Sequence, residues 1–164
     1  FKEDWIFMVD DDVDALLRMY IPKNSHNKFI DNPKIIESII ERSVESSDQF
    51  GSMLFGFSES TTQSHYDVWN PISTFGFIST KAFGVHKNFD FRFKESNLQS
   101  HWMSGMNAFK NRKCYIDNRF AFRKMRSTLS RVPDEDWDKL EEAFGNKLFR
   151  KVDASENGIM KKVL

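Results

Sequence analysis

The feature that most constrains this chain is a short apolar segment that ends in three aspartates. Residues Trp5 to Val9 form a run of five consecutive apolar residues, and Asp10-Asp11-Asp12 follows it directly. A continuous apolar run of this length, closed by a polar turn, is typical of a strand covered on both faces, as in a mostly parallel sheet. The sequence therefore predicts an α/β fold with the three carboxylates at the carboxyl end of a buried strand.

Three adjacent carboxylates repel one another unless a positive charge binds among them. Ligands of open α/β sheets bind in the crevice at the carboxyl ends of the strands. Asp10 and Asp12 project to the same side if the extended backbone continues, so both can address one hard cation. We interpret them as ligands of Mn²⁺ or Mg²⁺ bound with a diphosphate. Two alternatives stay open: a solvated loop, and a helix through Leu16 and Leu17 that is capped by Asp12 or Asp14.

Further helices and strands are predicted along the chain. Asp31-Asn32-Pro33 is a helix start, and isoleucines at 35, 36, 39 and 40 give that helix an apolar face as far as about Ser46. Apolar segments at 53–57 and 75–79 are predicted strands, and the loop 58–73 between them is long and polar. The remaining predictions are a helix with Leu98, Trp102, Met106 and Phe109 on one face, short strands at 113–117 and 119–122, and a last helix from Pro133 to Phe144, stopped by Gly145.

Composition bounds the class of protein. Of 164 residues 40% are hydrophobic, which is enough for a single core, and we expect one domain over 1–150 with a polar tail over 151–164. The only cysteine is Cys114, so an internal disulfide is excluded and a cytoplasmic location is expected. No apolar run approaches the roughly 18–20 residues that cross a bilayer, so we expect no membrane span. Because the chain runs into a buried strand within five residues of Phe1, we expect that leading strands precede it.

A second acidic segment lies at 88–98, where Glu95 falls just before the apolar helix face. A carboxylate in the first turn of a helix is favourable to the helix dipole, which is one explanation for it. The other explanation is a general base or a substrate-binding acid that faces the metal site. The residues alone leave both explanations open.

Taken in order, these segments resemble the GT-A glycosyltransferases, whose signature is Asp-x-Asp after an apolar strand. Members of that family later have a glycine with apolar residues, then Phe-Asp-x-Arg-Phe, an acid and a helix. This chain has Phe75-Gly76-Phe77-Ile78, Phe89-Asp90-Phe91-Arg92-Phe93, Glu95, the helix through Leu98, and Cys114-Tyr115-Ile116-Asp117 after it. The match covers residues 5–120, and its specificity lies in the order and spacing of the motifs.

The resemblance implies a metal-dependent transfer of a sugar from a nucleotide-diphosphate donor to an acceptor hydroxyl. Asp10 would lie near the nucleotide ribose with Asp11 beside it, and Asp12 would ligate the metal. Glu95 would contact the acceptor hydroxyl as the catalytic base. The family often recruits a late histidine as a further metal ligand, and His101 in the predicted helix is the candidate here, with His65 in the long loop as the alternative. The fold implied is a GT-A-like mixed, mostly parallel sheet flanked by helices, with the leading nucleotide-binding strands missing from this chain.

The segment from Lys110 to Arg131 is strongly basic and holds a single acid, Asp117. Three interpretations are open for it: a solvated face, contacts to the donor diphosphate by Arg123 and Arg126, and contacts to a nucleic-acid backbone. Some GT-A-like enzymes, many of them encoded by phages, glycosylate hydroxymethylated pyrimidines in DNA, and the basic segment is compatible with such an acceptor.

Two other classes of function stay open at this point. The first is a metal-dependent nucleotidyltransferase or phosphoryl-transfer enzyme, which would need further acids beside the aspartates to hold a second metal. The second is a non-catalytic binding module in which the aspartates only cap a helix.

Overall fold

The computed structural model describes residues 3–22, 24–90, 98–125, 133–145 and 148–149, which form three α-helices and eight strands. In chain order they are β1 (Trp5–Val9), β2 (Val13–Arg18), β3 (Phe29–Ile30), α1 (Pro33–Phe50), β4 (Leu54–Phe57), β5 (Ile72–Ser73), β6 (Ala82–His86), α2 (Gln99–Lys110), β7 (Tyr115–Asp117), β8 (Phe120–Lys124) and α3 (Asp134–Phe144). The predicted α/β class is confirmed.

The strands form two sheets. The larger sheet has the order β1-β6-β4-β7-β5, and the smaller one has the order β3-β2-β8. The larger sheet is mixed, but the prediction of mostly parallel pairing was wrong, because only β4 and β7 run parallel and its other neighbouring strands are antiparallel. The physical reason is that β6 inserts between β1 and β4 and runs against both of them. Helix α1 packs on β4 and β7.

Strand β1 lies at an edge of the larger sheet and is less covered than its sequence predicts. It pairs with β6, from Trp5 opposite His86 to Val9 opposite Ala82. Trp5 is buried, but Ile6 is 58% exposed and Val9 is 48% exposed. The prediction of a strand covered on both faces was therefore wrong for the described residues. An apolar run indicates that a strand tends to be buried, but it does not indicate which element of the fold packs on it.

Strand β2 excludes the helix-cap interpretation of the aspartates. Residues 13–18 pair antiparallel with β8, with Val13 opposite Lys124 and Arg18 opposite Phe120. Because the segment after Asp12 is extended, neither Asp12 nor Asp14 caps a helix there. The pairing with β8 also brings Lys124 back to the end of β1, more than a hundred residues away in the sequence.

Helix α1 begins as predicted and ends later. The side chain of Asn32 accepts a hydrogen bond from the backbone N–H two residues on, and Pro33 is the first helical residue. The helix continues to Phe50 and ends at Gly51, whose φ of 60° suits a residue without a side chain. Serines in the second half of the helix do not break it, because Ser43 and Ser47 are buried and donate to carbonyls four residues back.

The predicted strand at 75–79 is not formed, and the nearby strand is β6. Ile78 is fully buried, but its N–H and C=O both bond to the hydroxyl of Ser104 in α2, at 3.0 and 3.3 Å. A side chain of the helix thus takes the place of a neighbouring strand. The strands β7 and β8 and the helix α3 confirm the predictions for those regions.

Aromatic side chains fill the core between the two sheets. Phe57 of β4 and Phe122 of β8 lie with ring centroids 5.0 Å apart, and Phe7 of β1 lies 6.1 Å from Phe122. Phe55 packs so closely over Gly84 that a β-carbon there would stand 1.9 Å from its ring. This packing fixes β8 beside the end of β1, where the aspartates lie.

Candidate functional site

The three aspartates occupy a turn that is held from both sides. The Asp10 N–H donates to the carbonyl of Lys81, which directly precedes β6, at 3.0 Å. The Met125 N–H, directly after β8, donates to the Asp12 carbonyl at 2.9 Å. Asp11 between them is exposed. The turn is therefore anchored to one strand of each sheet.

The carboxylates of Asp10 and Asp12 converge on one cation of the chain itself. The Lys124 Nζ lies 2.5 Å from Asp10 Oδ2 and 3.1 Å from Asp12 Oδ1. Asp12 Oδ1 is buried and makes no hydrogen bond among the described residues, so its contact with Lys124 is an ion contact without hydrogen-bond geometry. The positive charge that three adjacent aspartates require is supplied here by a lysine.

The pKa values of two lysines at this site are shifted in opposite directions from their ordinary value. Burial disfavours the charged form of Lys124, but the adjacent carboxylates of Asp10 and Asp12 outweigh that effect and raise the pKa of Lys124. Burial lowers the pKa of Lys81, and the neighbouring Lys124 lowers it further. The Lys81 Nζ donates to the carbonyl of Glu59 at 2.9 Å. The site therefore combines two carboxylates with two ammonium groups, and this mixed charge distinguishes it from a purely acidic cluster.

Two carboxylates in this structure, those of Asp10 and Asp12, are placed to bind one metal ion. Asp10 and Asp12 face one cation position, which the Lys124 ammonium occupies, and the buried Asp12 Oδ1 accepts no hydrogen bond among the described residues. Within the described part of the chain, no three or more histidine, cysteine or acidic side chains are grouped as a metal site would require. The two aspartates fit a hard cation that keeps water or substrate oxygens as its other ligands, which is usual for Mg²⁺.

His101 does not join the aspartates in such a group, because it lies among aromatic rings where α2 meets α3. Its ring centroid is 4.7 Å from that of Phe77 and 4.9 Å from that of Trp137. Burial lowers the pKa of His101 to about 4, so the imidazole is neutral at physiological pH. His101 is therefore part of a packed aromatic cluster.

Arg123 is engaged within the smaller sheet. Its guanidinium donates to both oxygens of Asp14, at 3.0 and 2.7 Å, and lies 5.0 Å from the ring centroid of Phe29. The hydrogen bond to Arg123 lowers the pKa of Asp14. The structure thus assigns Arg123 a partner within the chain. Arg126, predicted to act with it, and Glu95, the predicted base, lie outside the described residues.

Other cations of the basic segment also contact oxygens of the chain. Lys110 binds Asp90, Lys113 donates to the Phe50 carbonyl at 2.7 Å, and Arg119 forms a two-pronged pair with the buried Asp117. Charges held in this way are less available to a phosphate backbone. The described part of the segment therefore favours a structural role for these cations over a nucleic-acid contact.

The start of α2 lies beside the aspartate turn. Ser100, in the first turn of α2, accepts a hydrogen bond from the Thr80 N–H at 3.0 Å and lies 2.9 Å from the Thr80 hydroxyl. Thr80 directly precedes Lys81, whose carbonyl binds Asp10. Sequence reasoning counted Lys124 in the basic segment but did not place it beside the aspartates, and it missed Lys81 and this Thr80–Ser100 contact. No local pattern marks them, because strand pairing and helix packing create their proximity.

Comparison of the chain with protein-family models, with curated proteins and with solved structures found no match. None of the α-helices in the described ranges combines the length and the apolar character that a membrane crossing needs.

Proposed function

We propose that this chain carries the metal and acceptor part of a GT-A-like glycosyltransferase, which moves a sugar from a nucleotide-diphosphate donor to an acceptor hydroxyl. The observation that carries the proposal is the convergence of Asp10 and Asp12 on one cation position at the end of β1. This position coincides with the Asp-x-Asp segment on which the resemblance rests. The strand-like course of 13–18 supports it further, because the competing helix-cap explanation needs a helix there.

Asp10 and Asp12 would hold Mn²⁺ or Mg²⁺, which supplies charge neutralisation for the leaving diphosphate when it is bound. Lys124 and Lys81 provide further positive charge at the same edge of the fold, and this charge favours an anionic donor over a neutral one. Asp11, exposed between the two ligands, is available to polar groups of the donor. The sugar and the nucleotide base are not specified by these residues.

Glu95 is proposed as the acid at the acceptor hydroxyl. It precedes Leu98 by three residues in the sequence, and α2 begins directly after Leu98. Because Ser100 of α2 bonds to Thr80 beside the aspartate turn, the helix start and the proposed metal ligands belong to one neighbourhood. Glu95 itself lies outside the described residues, so the proposal for it rests on this position of the helix start.

The exposed edge of β1 supports the expectation that the donor nucleotide needs further strands. Ile6 and Val9 offer apolar surface beside a strand edge that pairs with no other strand among the described residues, and such edges are normally covered. We therefore propose that the complete donor site includes strands that cover β1.

The test is a panel of nucleotide sugars incubated with the protein and Mn²⁺, with product analysis. A glycosyltransferase that uses water in place of its acceptor releases nucleoside diphosphate and free sugar, since the bond at the anomeric carbon breaks. Release of sugar 1-phosphate and nucleoside monophosphate would instead identify a phosphoryl-transfer enzyme. Asp12→Asn should abolish the Mn²⁺-dependent reaction, whereas Asp31→Asn, an exposed aspartate before α1, should not. Retention of Mn²⁺ and donor binding by Asp12→Asn would refute the metal assignment.

A further inference from the structure

A cleft lies at the opposite end of β2 from the aspartates. Its volume is about 540 Å³, within the range of roughly 300–1,000 Å³ that is usual for small-molecule sites. The segment 19–22 and Lys28 line one side, and residues 61–64, Tyr66 and Val68 of the long loop line the other. We name it the Gln63 cleft, after the residue that carries its unpaired acceptor.

Gln63 presents a buried amide oxygen without a donor. The Nε2 of Gln63 donates to the Arg18 carbonyl at 3.4 Å. Because that carbonyl can only accept a hydrogen bond, the amide nitrogen is assigned to that side, and Oε1 is the atom without a donor. Oε1 is buried and makes no hydrogen bond within the described ranges. An unsatisfied buried acceptor is costly, and a donor from a ligand would relieve that cost. The terminal torsion of glutamine is broad, so a modest rotation can turn Oε1 toward the cleft.

The lining of the cleft suits a neutral ligand that carries hydroxyls. Tyr20, Thr61 and Ser64 contribute hydroxyl groups, which both donate and accept hydrogen bonds. No carboxylate is among the described lining residues, and Lys28 is their only cation. Ile21 and other apolar neighbours provide surface for C–H groups. Multiple neutral donors and acceptors beside apolar surface match a pyranose ring, whose faces are apolar and whose edges are hydroxylated.

The loop that forms one wall is well anchored. Ser60 Oγ and His65 Nδ1 lie 2.9 Å apart, and Tyr66 packs on the cluster of Leu17, Met19 and Ala121. Trp69, next to the lining residue Val68, is 88% exposed. An exposed aromatic ring next in sequence to a lining residue is suited to stack on a sugar face.

We propose that the Gln63 cleft binds a neutral pyranoside, independently of the aspartate site. The two sites lie at opposite ends of β2, which separates them by roughly 20 Å at about 3.3 Å per residue. The cleft is therefore not the donor site of the proposed glycosyltransferase. It would hold a carbohydrate unit at a distance from the reacting sugar.

The experiment is ligand-observed NMR of the 164-residue chain with the methyl pyranosides of glucose, galactose, mannose and N-acetylglucosamine. We expect at least one of them to bind with a Kd in the millimolar range or tighter. Gln63→Leu removes the unpaired acceptor and should weaken binding by about tenfold. Gln49→Leu makes the same chemical change on the exposed side of α1 and should leave the Kd unchanged. Thr61→Val, a hydroxyl-to-methyl exchange of equal size, gives a second test if Gln63→Leu is poorly folded.

The outcomes separate this proposal from the one for the aspartates. Asp12→Asn should bind the pyranoside as the parent chain does, even if it also shows that the metal assignment fails. The proposal is overturned if no pyranoside binds, or if neither Gln63→Leu nor Thr61→Val changes the Kd relative to Gln49→Leu. Binding of a single-stranded oligonucleotide that the same two substitutions weaken, without pyranoside binding, would assign the cleft to nucleic acid instead.

Discussion

Replacing Lys124 by methionine tests whether Asp10 and Asp12 form a cation site. In the structure the Lys124 ammonium contacts both carboxylates, at 2.5 and 3.1 Å, and so occupies the position that a metal would take. Methionine keeps the length of the aliphatic chain and removes the charge. We expect Lys124→Met to bind Mn²⁺ more tightly than the parent protein, because an internal competitor has been deleted.

The magnitude follows from the geometry. Both carboxylates contact one nitrogen, so their oxygens lie within about 6 Å of one another, and two like charges at that distance repel by about 1–3 kcal/mol at effective dielectric constants of 80 to 20. The Asp10 and Asp12 side chains are 36% and 39% exposed, which places the effect toward the low end. We expect a gain in Mn²⁺ affinity of roughly fivefold to tenfold, and a loss of about 1 kcal/mol of stability without metal.

The assay is calorimetric titration with Mn²⁺, combined with thermal unfolding in the presence and absence of the metal. Added Mn²⁺ should restore the stability of Lys124→Met through mass action, and it should stabilise that variant more than the parent. Lys87→Met is the matched control, since Lys87 pairs with the single carboxylate of Asp4. If Lys124→Met binds Mn²⁺ no more tightly than Lys87→Met, the two aspartates are not a metal site and the ion pair is structural.

Three further predictions follow from other parts of the molecule. Glu95→Gln should lower turnover by about 10²–10⁴-fold with little change in donor Kd, and a loss below about tenfold in steady-state kinetics would remove its role as base. For His101, the folded pKa of about 4 lies below the ordinary 6.5, so the unfolded state binds more protons and stability should fall by up to about 3 kcal/mol as the pH drops from 6.5 toward 4. Urea unfolding at several pH values measures this, His101→Phe should flatten the profile, and an unchanged slope would contradict it. Gly84→Ala should lower the free energy of unfolding in urea by at least about 2 kcal/mol, because its β-carbon would stand 1.9 Å from the buried Phe55 ring. Adding Phe55→Leu to the same chain should recover part of that loss. Full stability of Gly84→Ala alone would show that the packing around Phe55 can adjust.

Local signals in the sequence were sufficient wherever the structure is governed by near neighbours. The cap at Asn32 and the proline at the first helical position define the start of α1, because these groups act on backbone bonds within a few residues. The acids at the start of α3 and the glycine that ends it act in the same way. The extent of α1 was underestimated, since the buried Ser47, which bonds to its own helix, is polar in the sequence.

Tertiary structure decided the pairing of strands and the partners of charged groups. The run from Trp5 to Val9 predicts a strand, but only the position of β1 at the edge of the sheet determines that Ile6 and Val9 are exposed. The three aspartates predict a need for positive charge, and only the pairing of β2 with β8 makes Lys124 the group that supplies it. The sequence by itself determined that a positive charge is needed at the end of β1, because adjacent carboxylates repel one another wherever they lie. The sequence did not determine which cation pairs with these carboxylates, because residues more than a hundred positions apart come into contact only when the chain has folded.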